Sequence, residues 1–191
     1  MCNQRADFAS NREKPRKDRA ALYTVFGDFM LTCRRYVPDD FARLYAIEEE
    51  CFAPLFRFGR RYMRQLLKRA NAATWIAETE GRMAGFGIVE WKLDEGQMSA
   101  YIETLEVAPP ARRQGVGSKL LGQAEASARQ AGAGVLWLHV DAQNLEAIRM
   151  YEAHGYSYEG REENYYPQGR AALIYAKRLE GAWAEVDPNC R

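Results

Sequence analysis

Paired cysteines, long apolar runs and any excess of charge are missing from this 191-residue chain. Its four cysteines (Cys2, Cys33, Cys51, Cys190) show no paired spacing, and two stand near the ends. That argues against a disulfide framework or a zinc site and points to reduced thiols in a cytoplasmic setting. No metal site is expected. No apolar stretch reaches the roughly 20 residues of a membrane span, and the N-terminus carries no signal-type apolar region. Lys and Arg number 27 against 26 Asp and Glu, for a net charge of +1, so neither nucleic acid nor a membrane is expected as the main partner. There is no internal repeat.

What is present is a globular composition, 47% apolar and 12% aromatic, at a length suited to one domain. Residues 1–29 read as a flexible N-terminal extension, polar and basic around Pro15. Residues 30–179 read as the domain and 180–191 as a C-terminal tail. Leu31 to Val37 has a strand pattern, and Pro38-Asp39-Asp40 then starts a helix whose apolar spacing lasts to Cys51. An aromatic loop, Cys51 to Phe58, leads to a second helix expected over Gly59 to Ala70, with Tyr62, Leu66 and Leu67 on one face. Thr74 to Glu78 and Met83 to Trp91 flank a Glu80-Gly81-Arg82 turn as a hairpin, and Ser99 to Val107 is a third strand. Leu120, Leu121, Ala124 and Ala128 stripe a helix that ends at Gly132. Val135 to Val140 is almost wholly apolar, the pattern of a strand buried on both faces. Asn144 caps a helix that stops at Gly155. Tyr156 to Glu159 and Ala171 to Ala176 close the chain as strands around a loop, Glu162 to Arg170.

The turn after the third strand carries the first chemical signal. Leu105-Glu106-Val107 runs through two prolines into Arg112-Arg113-Gln114-Gly115-Val116-Gly117-Ser118. A helix start offers unpaired N–H groups and the positive end of the macrodipole, and glycine lets backbone approach a phosphate closely. A P-loop needs Lys before Ser or Thr, whereas here Ser118 precedes Lys119. A dinucleotide fingerprint needs a third glycine where Leu120 stands. What remains is Arg112-x-x-Gly115-x-Gly117. Downstream, Asn144, Ala147, Tyr151 and Gly155, with Tyr156 in the place of Phe, follow the pattern Asn-x-x-Ala-x-x-x-Tyr-x-x-x-Gly-Phe.

Together these two segments resemble the pyrophosphate turn and the following helix of the GNAT superfamily of N-acetyltransferases. The resemblance covers roughly Leu31 to Leu179 and is strongest from Tyr101 to Tyr156. It implies an α/β GNAT fold. A mixed, mostly antiparallel sheet of about seven strands, flanked by about four helices, splits where acetyl-CoA binds. Leu105, Glu106, Val107, Arg112, Arg113, Gln114, Gly115, Val116, Gly117, Ser118, Asn144 and Tyr151 would hold the cofactor. Tyr101-Ile102-Glu103-Thr104-Leu105 and Asn164-Tyr165-Tyr166 are similar to the RimI-like protein N-terminal acetyltransferases. His139 departs from the glutamate usual in that group and is similar instead to the catalytic subunit of the eukaryotic NatE complex. By that resemblance Tyr101 and His139 form the base system through ordered water, and Tyr151 is an acid beside the sulfur. Phe52, Pro54, Leu55, Tyr101, Tyr165 and Tyr166 would wall a peptide pocket, with a protein N-terminus, such as that of a ribosomal protein, as acceptor. A monomer or homodimer is expected.

Acetyl transfer needs a neutral amine, a polarised carbonyl and a proton for the thiolate. A backbone N–H at Val107 is a candidate for the carbonyl oxygen. Imidazole, with a reference pKa of about 6.5, accepts protons near neutrality. An α-amine at about 7.7–8.0 is already partly neutral, whereas lysine at about 10.4 is worse by roughly 3.5 kcal/mol. Alternatives stay open. His139 and Tyr151 also fit as core residues, Glu103 is a rival base, and Arg113 and Lys119 fit equally as solvated charges. The acceptor is alternatively a small-molecule amine or a protein lysine. A reading from another class is a non-catalytic acyl-CoA-binding module, against which Tyr101, His139 and Tyr151 together weigh.

Overall fold

The computed structural model describes residues 30–179. The expectations for the N-terminal extension and the C-terminal tail, with Cys2 and Cys190, lie outside the described residues. Seven strands form one sheet in the order β1-β2-β3-β4-β5-β7-β6. They are β1 (Leu31–Arg35), β2 (Ala72–Thr79), β3 (Arg82–Asp94), β4 (Gln97–Val107), β5 (Val135–Asp141), β6 (Ser157–Tyr166) and β7 (Arg170–Arg178). Four helices flank them: α1 (Phe41–Cys51), α2 (Arg60–Leu66), α3 (Val116–Gln130) and α4 (Leu145–Ala153). Every neighbouring pair is antiparallel except β4 and β5.

The helices cover the two faces unequally. On one face Leu44 and Ile47 of α1, with Met63 and Leu66 of α2, pack on Ile76, Phe86 and Ile88. On the other, Leu121, Ala124 and Ala128 of α3 and Ile148 and Tyr151 of α4 pack on β4, β5 and β7. β3 lies between both layers, and Met83 to Val89 is buried without a break. Such a run is what a strand covered on both faces requires. The expectation of two-faced burial for β5 is corrected: its residues alternate, with Leu136, Leu138 and Val140 buried and Trp137 and His139 half-buried. On its second face Tyr101 packs against Trp137 and Tyr165 stacks on His139.

Three further boundaries differ from expectation. Glu162 to Arg170 is not a loop: β6 runs through Tyr166, and only Pro167–Gly169 turns before β7. The continuous polar run there belongs to an edge strand exposed on both faces, which sequence pattern does not separate from a loop. α2 ends at Leu66, and its buried residues are Met63 and Leu66, leaving Tyr62 exposed. Glu95 and Gly96, both at positive φ, make a second hairpin between β3 and β4.

Two features of β4 open the sheet. Ile88 pairs with Thr104 and Val89 with Ile102, so Glu103 is an extra residue in a β-bulge. A bulge bends its strand and increases the twist. Pairing of β4 with β5 is confined to Ser99–Tyr101 against Val135–Trp137. Beyond Tyr101 the strands part, and β4 carries on to Val107 with no strand partner on that side.

Candidate active site

A cleft of about 310 Å³ lies where β4 and β5 part, between the start of α3 and the helix α4. Gly115 precedes α3 at φ 81°, a left-handed conformation that glycine adopts without Cβ strain. No side-chain hydrogen bond caps α3, and Gly115, Val116, Gly117 and Ser118 at its start line the opening. Arg113, at φ 60°, and Arg112 flank this turn. Leu105, Glu106, Val107, Arg112, Arg113, Gly115, Val116, Gly117, Ser118, Asn144 and Tyr151 all line the cleft, as does Phe52. Gln114 does not: its side-chain amide donates to the Pro110 carbonyl at 2.9 Å. Cys51, Glu146, Ala147 and Met150 also line it, unforeseen from the sequence. A Cβ at Gly117 would come within 2.9 Å of Met150 Sδ, so the bare glycine backbone lets α4 close on the turn. Asn144 Oδ1 accepts from Ala147 N at 3.2 Å and caps α4.

Glu106 lines the cleft, yet it is almost wholly buried. Its side chain is 2% exposed, accepts from Thr104 Oγ1 at 2.8 Å and turns toward Glu48 of α1. Burial, and then Glu48, push its pKa well above the glutamate range. Glu106 therefore binds its proton more tightly folded than unfolded. That stabilisation is complete below the ordinary glutamate range and is lost as pH rises toward the folded value. Replacing Glu106→Gln keeps a neutral group there at every pH. We expect the melting temperature of the native chain to fall relative to E106Q as pH rises above the ordinary glutamate range. Parallel melting curves would show that Glu106 does not hold its proton.

The second half of the site lies on the open face of β5. The Tyr101 hydroxyl is 3.2 Å from His139 Nδ1. The Tyr165 ring stacks on His139 at 4.3 Å with an interplanar angle of 4°, and Trp137 meets the imidazole edge-on at 5.6 Å. Asn164, at φ 59°, and the shift of register between Glu162 and Tyr166 turn the end of β6 so that Tyr165 points at this ring. Tyr166 sits against Tyr165 at 4.8 Å. Burial holds the Tyr101 and Tyr151 hydroxyls protonated, well above the usual tyrosine range. Burial lowers the pKa of His139, while Glu162 opposes the shift.

Glu103 shares a face with Tyr101 but has other partners. Arg69 bridges its carboxylate, at 3.2 Å, to that of Glu90, which also accepts from Asn71. Burial, and then Glu90, push the Glu103 pKa up to about 7. Of the expected peptide wall, Tyr101, Tyr165 and Tyr166 come together. Pro54 and Leu55 stand exposed in a short turn outside the cleft lining, with Leu55 64% exposed. Arg57 fastens this segment, donating to the Phe52 carbonyl at 2.6 Å and that of Glu49 at 2.8 Å.

A family model, the acetyltransferase (GNAT) family, matches residues 41–156 and so spans both the glycine turn and α4. The chain belongs to the GNAT family of acetyltransferases. Among its GNAT relatives is the [ribosomal protein bS18]-alanine N-acetyltransferase of Escherichia coli, 38% identical over 116 residues. That match covers 52% of this chain and 76% of the relative. Streptothricin acetyltransferase of Streptomyces lavendulae is 36% identical over 104 residues, 54% of this chain and only 53% of the relative. The crystal structure of the ribosomal-protein-S18-alanine N-acetyltransferase from Escherichia coli superposes with a TM-score of 0.73 at 27% identity. It covers 83% of this chain and 98% of that one. As a GNAT enzyme the chain takes acetyl-CoA. The left-handed Gly115, the uncapped start of α3 and the parted strands form a cradle with room and donors for its diphosphate and pantetheine arm.

Proposed function

We propose that this GNAT enzyme transfers the acetyl group of acetyl-CoA to the N-terminal α-amine of a protein or peptide. The observation that carries the reading is the Tyr101–His139 hydrogen bond of 3.2 Å beneath the Tyr165 ring, on the open face of β5. A histidine held below its ordinary pKa by burial is a weak base. Such a base suits an α-amine of pKa about 7.7–8.0 far better than a lysine at about 10.4. The likeness to bS18-alanine N-acetyltransferase supports the same acceptor class, with a ribosomal protein as the first candidate.

Bound acetyl-CoA supplies a thioester carbonyl as electrophile and a thiolate as leaving group. Backbone N–H groups at the start of α3, with Arg112 and Arg113, would hold its diphosphate. The free edge of β4 near Val107 would orient the acetyl group. Tyr101 and His139 would take the amine proton, and the protonated Tyr151 hydroxyl, inside the cleft, would return one to the sulfur.

A small-molecule amine is the second reading. It is favoured by the likeness to streptothricin acetyltransferase and by the carboxylates of Glu90 and Glu103 beside Tyr101. Mass spectrometry after incubation with acetyl-CoA separates the two, using peptides of varied first residues, lysine peptides with blocked N-termini, polyamines and streptothricin. We expect acetylation of free α-amines. Modification confined to lysine side chains or to the small amines would overturn the reading.

A further inference from the structure

Glu162 lies on the exposed strand β6, yet its Oε2 is 3.3 Å from His139 Nε2. A carboxylate only accepts and repels a bare lone pair, so at that ion-pair distance it favours the tautomer with the proton on Nε2. Neutral imidazole carries one N–H, which leaves Nδ1 as a bare lone pair. Nδ1 is the atom that faces the Tyr101 hydroxyl. The ring has little freedom to turn over, being 9% exposed, stacked on Tyr165 and flanked by Trp137.

We propose that Glu162 is a positioning residue that holds His139 as the Nε2–H tautomer and so aims Nδ1 at Tyr101. The inference rests on the acetyl-transfer reading above only for the origin of the proton. As the amine nitrogen bonds to the acetyl carbon, its proton passes to Tyr101 Oη, and the Tyr101 O–H proton passes to His139 Nδ1. The C–S bond breaks, its electron pair stays on sulfur, and the thiolate takes the Tyr151 proton. His139 is then an imidazolium whose Nε2–H points at the Glu162 carboxylate. Loss of its new proton to solvent, and uptake of one by Tyr151, restore the enzyme.

Other charges near the imidazole are engaged elsewhere. Asp141, two residues along β5, pairs with Arg170, Glu163 pairs with Arg161, and Glu103 is held by Arg69. Ile174 of β7 lies opposite His139 and carries no charge. Glu162 is the charged group that raises the basicity of His139 against the effect of burial.

The test is Glu162→Gln, with Glu162→Ala beside it, read by NMR and by kinetics. The chain has two histidines, so nitrogen–proton correlation spectra resolve His139 once His154→Gln assigns the other. In the native chain we expect the Nε2–H pattern. In E162Q the titration midpoint of His139 should fall by about half a unit, the pair being 54% exposed on the glutamate side. The acid limb of kcat/KM should move to lower pH by the same amount, while the plateau falls about threefold to tenfold and KM for acetyl-CoA stays constant. In E162A the tautomer pattern should become mixed. A purely structural glutamate would lower the plateau without moving the limb. An unchanged His139 midpoint and tautomer in both variants would overturn the inference. Peptides left unacetylated by the native chain, with the spectra changing as expected, would overturn the acceptor reading and leave the role of Glu162 standing.

Discussion

His139→Ala is expected to cut kcat for peptide acetylation by about 10²–10⁴-fold, the range for loss of a general base. Acetyl-CoA affinity should stay the same, because His139 lies outside the cleft that the glycine turn shapes. The pH profile distinguishes the two candidate bases. Burial sets the His139 pKa below its ordinary value of about 6.5, whereas burial and Glu90 push Glu103 up to about 7. An acid limb of kcat/KM below about 6.5 that disappears in H139A identifies the histidine. A limb near 7 that survives in H139A and disappears in Glu103→Gln assigns the role to the carboxylate. Isothermal titration with acetyl-CoA supplies the control. Weakened binding in H139A would mean that the two halves of the site are not separate.

Legibility in the sequence followed how local each feature is. The glycine turn could be read directly, since Arg112, Gly115 and Gly117 sit within one turn of backbone and act through it. The cap at Asn144 is equally local, its oxygen reaching Ala147 N three residues on. Features made by distant contacts stayed hidden. Val135 to Val140 is apolar enough for burial on both faces, but whether a helix covers the second face depends on where α1 and α2 come to rest. Glu106 aligns with the cofactor segment, yet its carboxylate goes to Glu48, which lies on another element. Glu162 looks like a solvated charge in a polar run, and only the pairing of β6 with β7, and of β7 with β5, brings it to His139. The bulge at Glu103 is a mismatch between two strands, and neither strand carries it alone.

Gly85 is where the fold and the cofactor site meet, and Gly85→Ala is expected to damage both. A Cβ there would lie 2.4 Å from the Glu106 carbonyl oxygen, 3.2 Å from Val107 Cα and 3.2 Å from Val116 Cγ1. Two of these contacts are backbone, so no rotamer change relieves them. β4 must shift at Glu106 and Val107, or β3 must move away from it. Overpacking of this kind costs about 3 kcal/mol, the upper part of the usual range. For a protein of this size that is a loss of roughly 6–12 °C in melting temperature. The direction of the strain adds a second effect. Val116 is the first residue of α3 and Val107 ends β4, so the methyl pushes apart the two walls of the cleft. KM for acetyl-CoA should therefore rise at temperatures where G85A is still fully folded. Gly122→Ala, with nothing within 4 Å of its Cβ, is the matched control and should leave both quantities unchanged or slightly improve stability. A G85A chain that melts like the native one would show that β3 and β4 are not packed as closely as the structure places them.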